Sequence, residues 1–202
     1  DKQIPVGAGL GGGSSDAAAL LKTLFELEGL NVSLQEQIEL ARRVGSDVPF
    51  FIRNVPAWVE GAGERVTPVN VELDNMRVLV VCPGFQISTS QAYQAWDEAR
   101  SRADGHAARD LTAHHFQLSK SFCSTGRCLM NSFESVVFDL CPDLGYLKKS
   151  LLEAGADGVV LSGSGSALVA VCRTHQGLQA LASACEKKEI TSYESDVNRA
   201  GV

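Results

Sequence analysis

Apolar positions recur with helical spacing through the first quarter of the chain. Ala17, Leu20, Leu21, Leu24 and Phe25 fall on one face of a helix that stops at Gly29, and Ile38, Ala41 and Val44 mark a second that stops at Gly45. Ser33 followed by Glu36 has the spacing of a capping box at the start of that second helix. Pro49 biases Val48 toward extended backbone, which predicts a tight loop over residues 45–49, with Asp47 at the entrance of a short strand, 50–52. Residues 57–60 and 65–69 predict two further strands, joined by a turn at Gly61, Ala62, Gly63 and Glu64.

Beyond a polar, irregular stretch at 68–75, residues 77–82 begin a fresh buried strand ended by Pro83 and Gly84. A helix is predicted over 90–103 and a loop over 105–109. Asp143 is placed to cap a helix that buries Leu144, Leu147, Leu151 and Leu152 and stops at Gly155. Strands at 158–161 and 167–172 flank a glycine-serine turn, Ser162, Gly163, Ser164, Gly165 and Ser166. A helix (177–187) and a strand (190–196) close the chain. This pattern implies an α+β fold of two parts, residues 1–70 and 71–202.

Composition narrows the function. Of 202 residues 45% are hydrophobic and 21% charged, the balance of a globular protein. The net charge is −6 and the isoelectric point about 5.2, so no global basic field draws the chain to nucleic acid or to an anionic membrane. Trp58, Trp96 and the phenylalanines are scattered and form no stacking platform for a polynucleotide. No apolar stretch approaches the ~20 residues of a membrane span. Cys82, Cys123, Cys128, Cys141, Cys172 and Cys185 contain no C-x-x-C pair and read as reduced thiols, which points to the cytoplasm. His106, His114, His115 and His175 show no metal-binding spacing, so no protein metal site is expected.

Phosphate must therefore be held locally. Pro5, Val6, Gly7, Ala8, Gly9, Leu10, Gly11, Gly12, Gly13, Ser14 and Ser15 contain five glycines in eleven residues and lead directly into the first helix. A helix start leaves about four amides unpaired and carries roughly half a positive charge, so such a loop aims donors at phosphate oxygens. Ser14 and Ser15 can cap the helix or place a hydroxyl on a phosphate or its Mg²⁺, and Asp16 favours the same helix end. A Walker loop is excluded because G-K-[ST] is absent. Gly7-x-Gly9-x-x-Gly12 matches the dinucleotide fingerprint in form only, since residues 1–6 are too short and polar for a first parallel strand.

The run from Ile4 to Ala18 resembles the ATP-binding motif of the GHMP kinases. Gly45-Ser46-Asp47-Val48-Pro49-Phe50-Phe51 resembles the family's catalytic-aspartate segment. Gly61-x-Gly63-Glu64, Pro83-Gly84 and Ser162-Gly163-Ser164-Gly165-Ser166 follow in the family's order. The triple glycine and double serine look most like the branch acting on a small molecule that carries a cytidine diphosphate group. Mevalonate, homoserine or sugar acceptors remain alternatives, as does a nucleotide-binding module without turnover.

The resemblance implies an N-terminal domain of the ribosomal-protein type, here incomplete, and a ferredoxin-like C-terminal sandwich. It implies transfer of the ATP γ-phosphate to a 2-hydroxyl on a methylerythritol moiety. Residues 5–15 would hold ATP with Mg²⁺, and Asp47 would act as general base, although a turn or helix-cap aspartate would look the same in sequence. Gly163, Ser164 and Gly165 would place amides near the substrate diphosphate, a role compatible with a plain hairpin turn. Thr89 is either a substrate contact or a helix cap, and Asn131, in Asn-Ser-Phe-Glu134, resembles a family asparagine at a helix start and is read as structural. The family's lysine beside the aspartate comes from a first strand ahead of these motifs. The chain opens at Asp1, directly before the loop, so we expect the natural protein to carry a further N-terminal segment and this chain alone to be a poor catalyst. Lys2 reads as a solvated lysine at a strand end.

Overall fold

The computed structural model describes residues 1–69, 76–102 and 129–196. They form two compact units, residues 11–69 in one and residues 1–10, 76–102 and 129–196 in the other.

The first unit runs α1 (Gly12–Leu27), α2 (Leu34–Val44), α3 (Val48–Arg53), β1 (Ala57–Glu60) and β2 (Arg65–Pro68). Ala18, Ile38, Ala41, Val48 and Ile52 make its core, with Ala17, Leu21 and Phe51 packed against them. Leu20 and Leu24, assigned by periodicity to the buried face of α1, are 60% and 43% exposed. The buried stripe is centred on Ala18 and Leu21, and successive residues step about 100° around a helix, which carries Leu20 and Leu24 off that stripe. The capping box forms as expected: Glu36 donates its N–H to the Ser33 hydroxyl, and its carboxylate accepts the Ser33 N–H at 2.9 Å.

The expected strand at 50–52 is instead α3. Proline at the first turn of a helix loses only an N–H that has no helical partner, and its fixed φ suits the helix, so Pro49 starts this element rather than blocking it. β1 and β2 pair antiparallel in the predicted hairpin, Trp58 opposite Thr67 and Val59 opposite Val66.

The second unit runs β3 (Arg77–Cys82), α4 (Thr89–Arg102), α5 (Glu134–Leu140), α6 (Pro142–Glu153), β4 (Gly158–Leu161), β5 (Leu168–Cys172), α7 (His175–Glu186) and β6 (Thr191–Asp196). The strands form one sheet of order β4-β5-β3-β6 with every neighbour antiparallel. That is the β-α-β-β-α-β arrangement of ferredoxin-like folds, as expected. Leu79, Val81, Val159, Leu161, Leu168 and Ala170 supply the sheet side of the core, and Leu144, Leu151, Leu178 and Leu181 the helix side. Burying each such leucine is worth about 1.5–3 kcal/mol.

Helix α5 follows Asn131, where the family resemblance implied a helix start; apolar periodicity alone did not mark it. Asp143 does not cap α6: Cys141 holds the cap position, Pro142 opens the helix, and Asp143 lies in its first turn, where its charge favours the helix dipole. Helix α7 starts earlier than expected because Thr174 caps it, accepting the Gly177 N–H at 3.0 Å. Cys82, Cys172 and Cys185 are buried free thiols and Cys141 is half-buried. Cys123, Cys128, His106, His114, His115 and the expected loop at 105–109 lie outside the described residues.

Candidate active site

The first glycine segment is tied into the second unit through its carbonyls. The Gln86 side chain donates to the Val6 carbonyl at 3.0 Å, the Ala167 N–H to the Ala8 carbonyl at 3.1 Å, and the Ser162 hydroxyl to the Gly9 carbonyl at 2.9 Å. Ala8 is buried with Cys82 and Ala167, and Leu10 packs beside them. Gly9 has φ +77, and a Cβ there would overlap the Ser162 carbonyl, so only glycine permits this approach. With three carbonyls turned into protein partners, Gly7 to Leu10 is a fixed stretch of backbone rather than a flexible linker. Lys2 is exposed in irregular backbone ahead of it, not at a strand end.

The second glycine turn joins β4 to β5. The Ser162 N–H donates to the Ala167 carbonyl and the Gly165 N–H to the Ser162 carbonyl, each at 2.9 Å. The Ser166 hydroxyl, buried, donates to the Phe85 carbonyl. Thr89 is the first residue of α4, and its hydroxyl lies 3.0 Å from that of Ser164. Thr89, Gly163, Ser164 and Gly165 are thus brought together with Gly7 to Leu10. Asn131, read from the sequence as structural, also holds this region, as do Glu134 and Gln86, which the sequence did not reveal. Their partners lie 27–80 residues away, beyond any local pattern.

In the other unit, Gly11 precedes α1, which begins at Gly12 with no side-chain cap bond. Ser14 and Ser15 therefore lie inside the first turn and do not cap it. The Ser15 hydroxyl donates to the Gly12 carbonyl at 2.9 Å, whereas the Ser14 hydroxyl has no protein partner among the described residues. The amides of Gly12, Gly13 and Ser14 have no carbonyl four residues back within the helix, so this turn offers three donors.

Asp47 occupies the N-cap position of α3 but makes no side-chain cap bond. Its carboxylate is exposed and, among the described residues, accepts only a long contact, 3.5 Å, from the Ser46 hydroxyl. A cap aspartate would have spent its oxygens on the helix amides. The backbone beneath it is braced by the β1–β2 turn: Gly63 is buried at φ +95, and a Cβ there would overlap the Ser46 carbonyl. Glu64 closes that turn by accepting the Ala62 N–H at 2.7 Å. Its carboxyl sits below the usual range because its own amide and that of Ala62 donate to it, with Arg42 and Arg65 adding attraction against a small cost of burial.

Comparison with known proteins gives the family. The GHMP kinases N terminal domain model matches residues 1–54, and the GHMP kinases C terminal model matches residues 108–190. A 4-diphosphocytidyl-2-C-methyl-D-erythritol kinase of Nitratidesulfovibrio vulgaris is 38% identical over 193 residues, 96% of this chain and 67% of that protein. The chain belongs to the GHMP kinases.

A kinase of the same name from Solidesulfovibrio magneticus is 42% identical over 176 residues, 87% of this chain and 60% of its own length. A crystal structure of 4-(cytidine 5'-diphospho)-2C-methyl-D-erythritol kinase superposes with a TM-score of 0.73 at 32% identity, covering 96% of this chain and 68% of that one. This GHMP kinase chain thus spans about three fifths to two thirds of the length of the curated relatives it matches. Among its described residues no helix is long and apolar enough to cross a membrane, and no cluster of three or more His, Cys, Asp or Glu side chains could hold a metal ion.

Proposed function

We propose that this protein is an ATP-dependent kinase that phosphorylates the 2-hydroxyl of 4-diphosphocytidyl-2-C-methyl-D-erythritol, in the cytoplasm, on the non-mevalonate route to isoprenoid precursors. The observation that carries the reading is the joining of two glycine segments by the Ser162 to Gly9 and Ala167 to Ala8 bonds. A kinase acting on a diphosphate-bearing acceptor has two polyphosphates to hold, and paired backbone cradles answer that need. The relatives named for this acceptor, at 38% and 42% identity, support the choice of substrate.

The roles follow from the chemistry of each group. Residues 5–15 hold the ATP polyphosphate, with the free amides of Gly12, Gly13 and Ser14 as donors at a helix start. The unspent Ser14 hydroxyl fits a ligand role toward Mg²⁺, which when bound neutralises charge on the phosphates. Thr89, Gly163, Ser164 and Gly165 receive the acceptor diphosphate. Asp47, whose carboxylate is not used as a cap, takes the proton of the attacking hydroxyl or orients it. Phosphoryl transfer has a loose transition state, so one carboxylate and fixed donors can carry the catalysis.

The full-length protein, incubated with ATP, Mg²⁺ and a panel of acceptors, should phosphorylate the cytidyl-linked substrate and leave mevalonate, homoserine and galactose unchanged. Turnover of one of those three instead would overturn the substrate assignment. ATP binding with no transfer to any acceptor would leave a nucleotide-binding module.

A further inference from the structure

Asn131 stands ahead of α5, and its side-chain amide is spent on the backbone around the second glycine turn. Nδ2 donates to the carbonyls of Leu161 at 2.8 Å and Gly163 at 2.7 Å, and Oδ1 accepts the Phe133 N–H at 2.9 Å. Glu134 accepts the Leu161 N–H at 2.9 Å on one carboxylate oxygen and the Lys148 ammonium at 2.7 Å on the other. Leu161 is therefore gripped by both its backbone groups, and Gly163 by its carbonyl.

In a planar trans peptide the C=O and the following N–H point in opposite directions. With the Gly163 carbonyl drawn onto Asn131, the Ser164 N–H is aimed away from it. Among the described residues that N–H has no protein acceptor. Gly163 has φ +54 and is exposed, so its backbone alone resists a turnover of this peptide poorly. Such a flip would set a carbonyl oxygen where the N–H now stands and replace attraction for an anion with repulsion.

We propose that Asn131 is a positioning residue that locks the Gly163–Ser164 peptide with its N–H outward, while Glu134 keeps Leu161 in register. The turn then presents a donor, and not a carbonyl, to a phosphate anion. The inference rests on the proposed function only in naming that anion as the diphosphate of the acceptor.

Three variants of the full-length protein test it. Asn131→Ala removes both Nδ2 bonds. Asn131→Asp keeps the size and the acceptor for the Phe133 N–H, which protects folding, but opposes oxygen to two carbonyls. Val137→Ala, in the buried face of the same helix, is the stability control. At temperatures where all are folded by circular dichroism, both Asn131 variants should lose kcat/KM for the acceptor by about tenfold or more with the KM for ATP held within about twofold. Val137→Ala should lower the melting temperature and keep kcat/KM for the acceptor within about twofold. In ¹⁵N NMR with pyrophosphate as the probe, the Ser164 amide should shift in the wild type and stay still in Asn131→Ala.

Asn131 variants that melt early yet keep the wild-type kcat/KM for the acceptor would overturn the proposal. So would a Ser164 amide that responds to pyrophosphate equally in wild type and Asn131→Ala, or in neither. If the wild type phosphorylates no acceptor, the proposed function falls and the NMR comparison alone decides on Asn131.

Discussion

The Ser162 hydroxyl donates to the Gly9 carbonyl at 2.9 Å, joining residues 153 positions apart in the chain. Gly9 makes this possible through its positive φ and its lack of a Cβ. Gly9→Ala should therefore part the two glycine segments. A non-glycine residue held in such backbone costs of order 1–3 kcal/mol, before any overlap with Ser162 is relieved. Thermal melting should show the loss of stability, and titration with ATP about tenfold weaker binding. Wild-type values for both would show that the contact does not matter.

Asp47 heads α3 without capping it. In the full-length protein Asp47→Asn should leave ATP affinity within about twofold and lower turnover by about two orders of magnitude or more. Unchanged turnover would remove Asp47 from the chemistry.

Gly63 lies against the backbone of Ser46, the residue before that aspartate. Gly63→Ala would press a methyl group on the Ser46 carbonyl and shift the residue that carries the carboxylate. A displacement of about 1 Å is enough to cost 10–100-fold in rate. Steady-state kinetics should show kcat falling while ATP binding persists, whereas a fall in ATP affinity alone would contradict the placement.

The Ser33–Glu36 box predicts a pH-dependent stability. Ser33→Ala should cost ~1 kcal/mol in urea unfolding near neutral pH. The Ser33 hydroxyl and amide hold the Glu36 carboxyl below its ordinary value of 4.5. A lowered folded pKa adds stability that is present above the unfolded value and lost as pH falls through the folded one. The gap between wild type and Ser33→Ala should thus narrow below about pH 4.5, and a gap that widens on acidification would refute the assignment.

Burial pushes the thiols of Cys82, Cys172 and Cys185 up, with Asp157 adding to the effect at Cys172. A raised thiol holds less thiolate, the reactive form. Mass-spectrometric mapping after mild alkylation should find Cys141, half-buried, modified before these three, which should react only on unfolding. Early modification of Cys185 would argue against the packing of α7 on the sheet.

Much of this protein was legible in its residues alone. Helices α1 and α2, the β1–β2 hairpin and the four strands of the second sheet follow from periodicity, caps and glycine stops, all of which act over a few residues. The phosphate-loop reading of residues 7–15 was equally local. Pro49 misled because its bias on Val48 and its preference for a helix start compete, and only the packing of Val48 and Ile52 against α1 and α2 decided for α3. Tertiary structure alone decided that Gly7 to Leu10 belongs with the Ser162–Ala167 turn, and that Asn131 clamps carbonyls 30 and 32 residues away. A hydrogen bond between distant backbone groups leaves no periodic trace in sequence, because its partners meet only after the sheet has assembled.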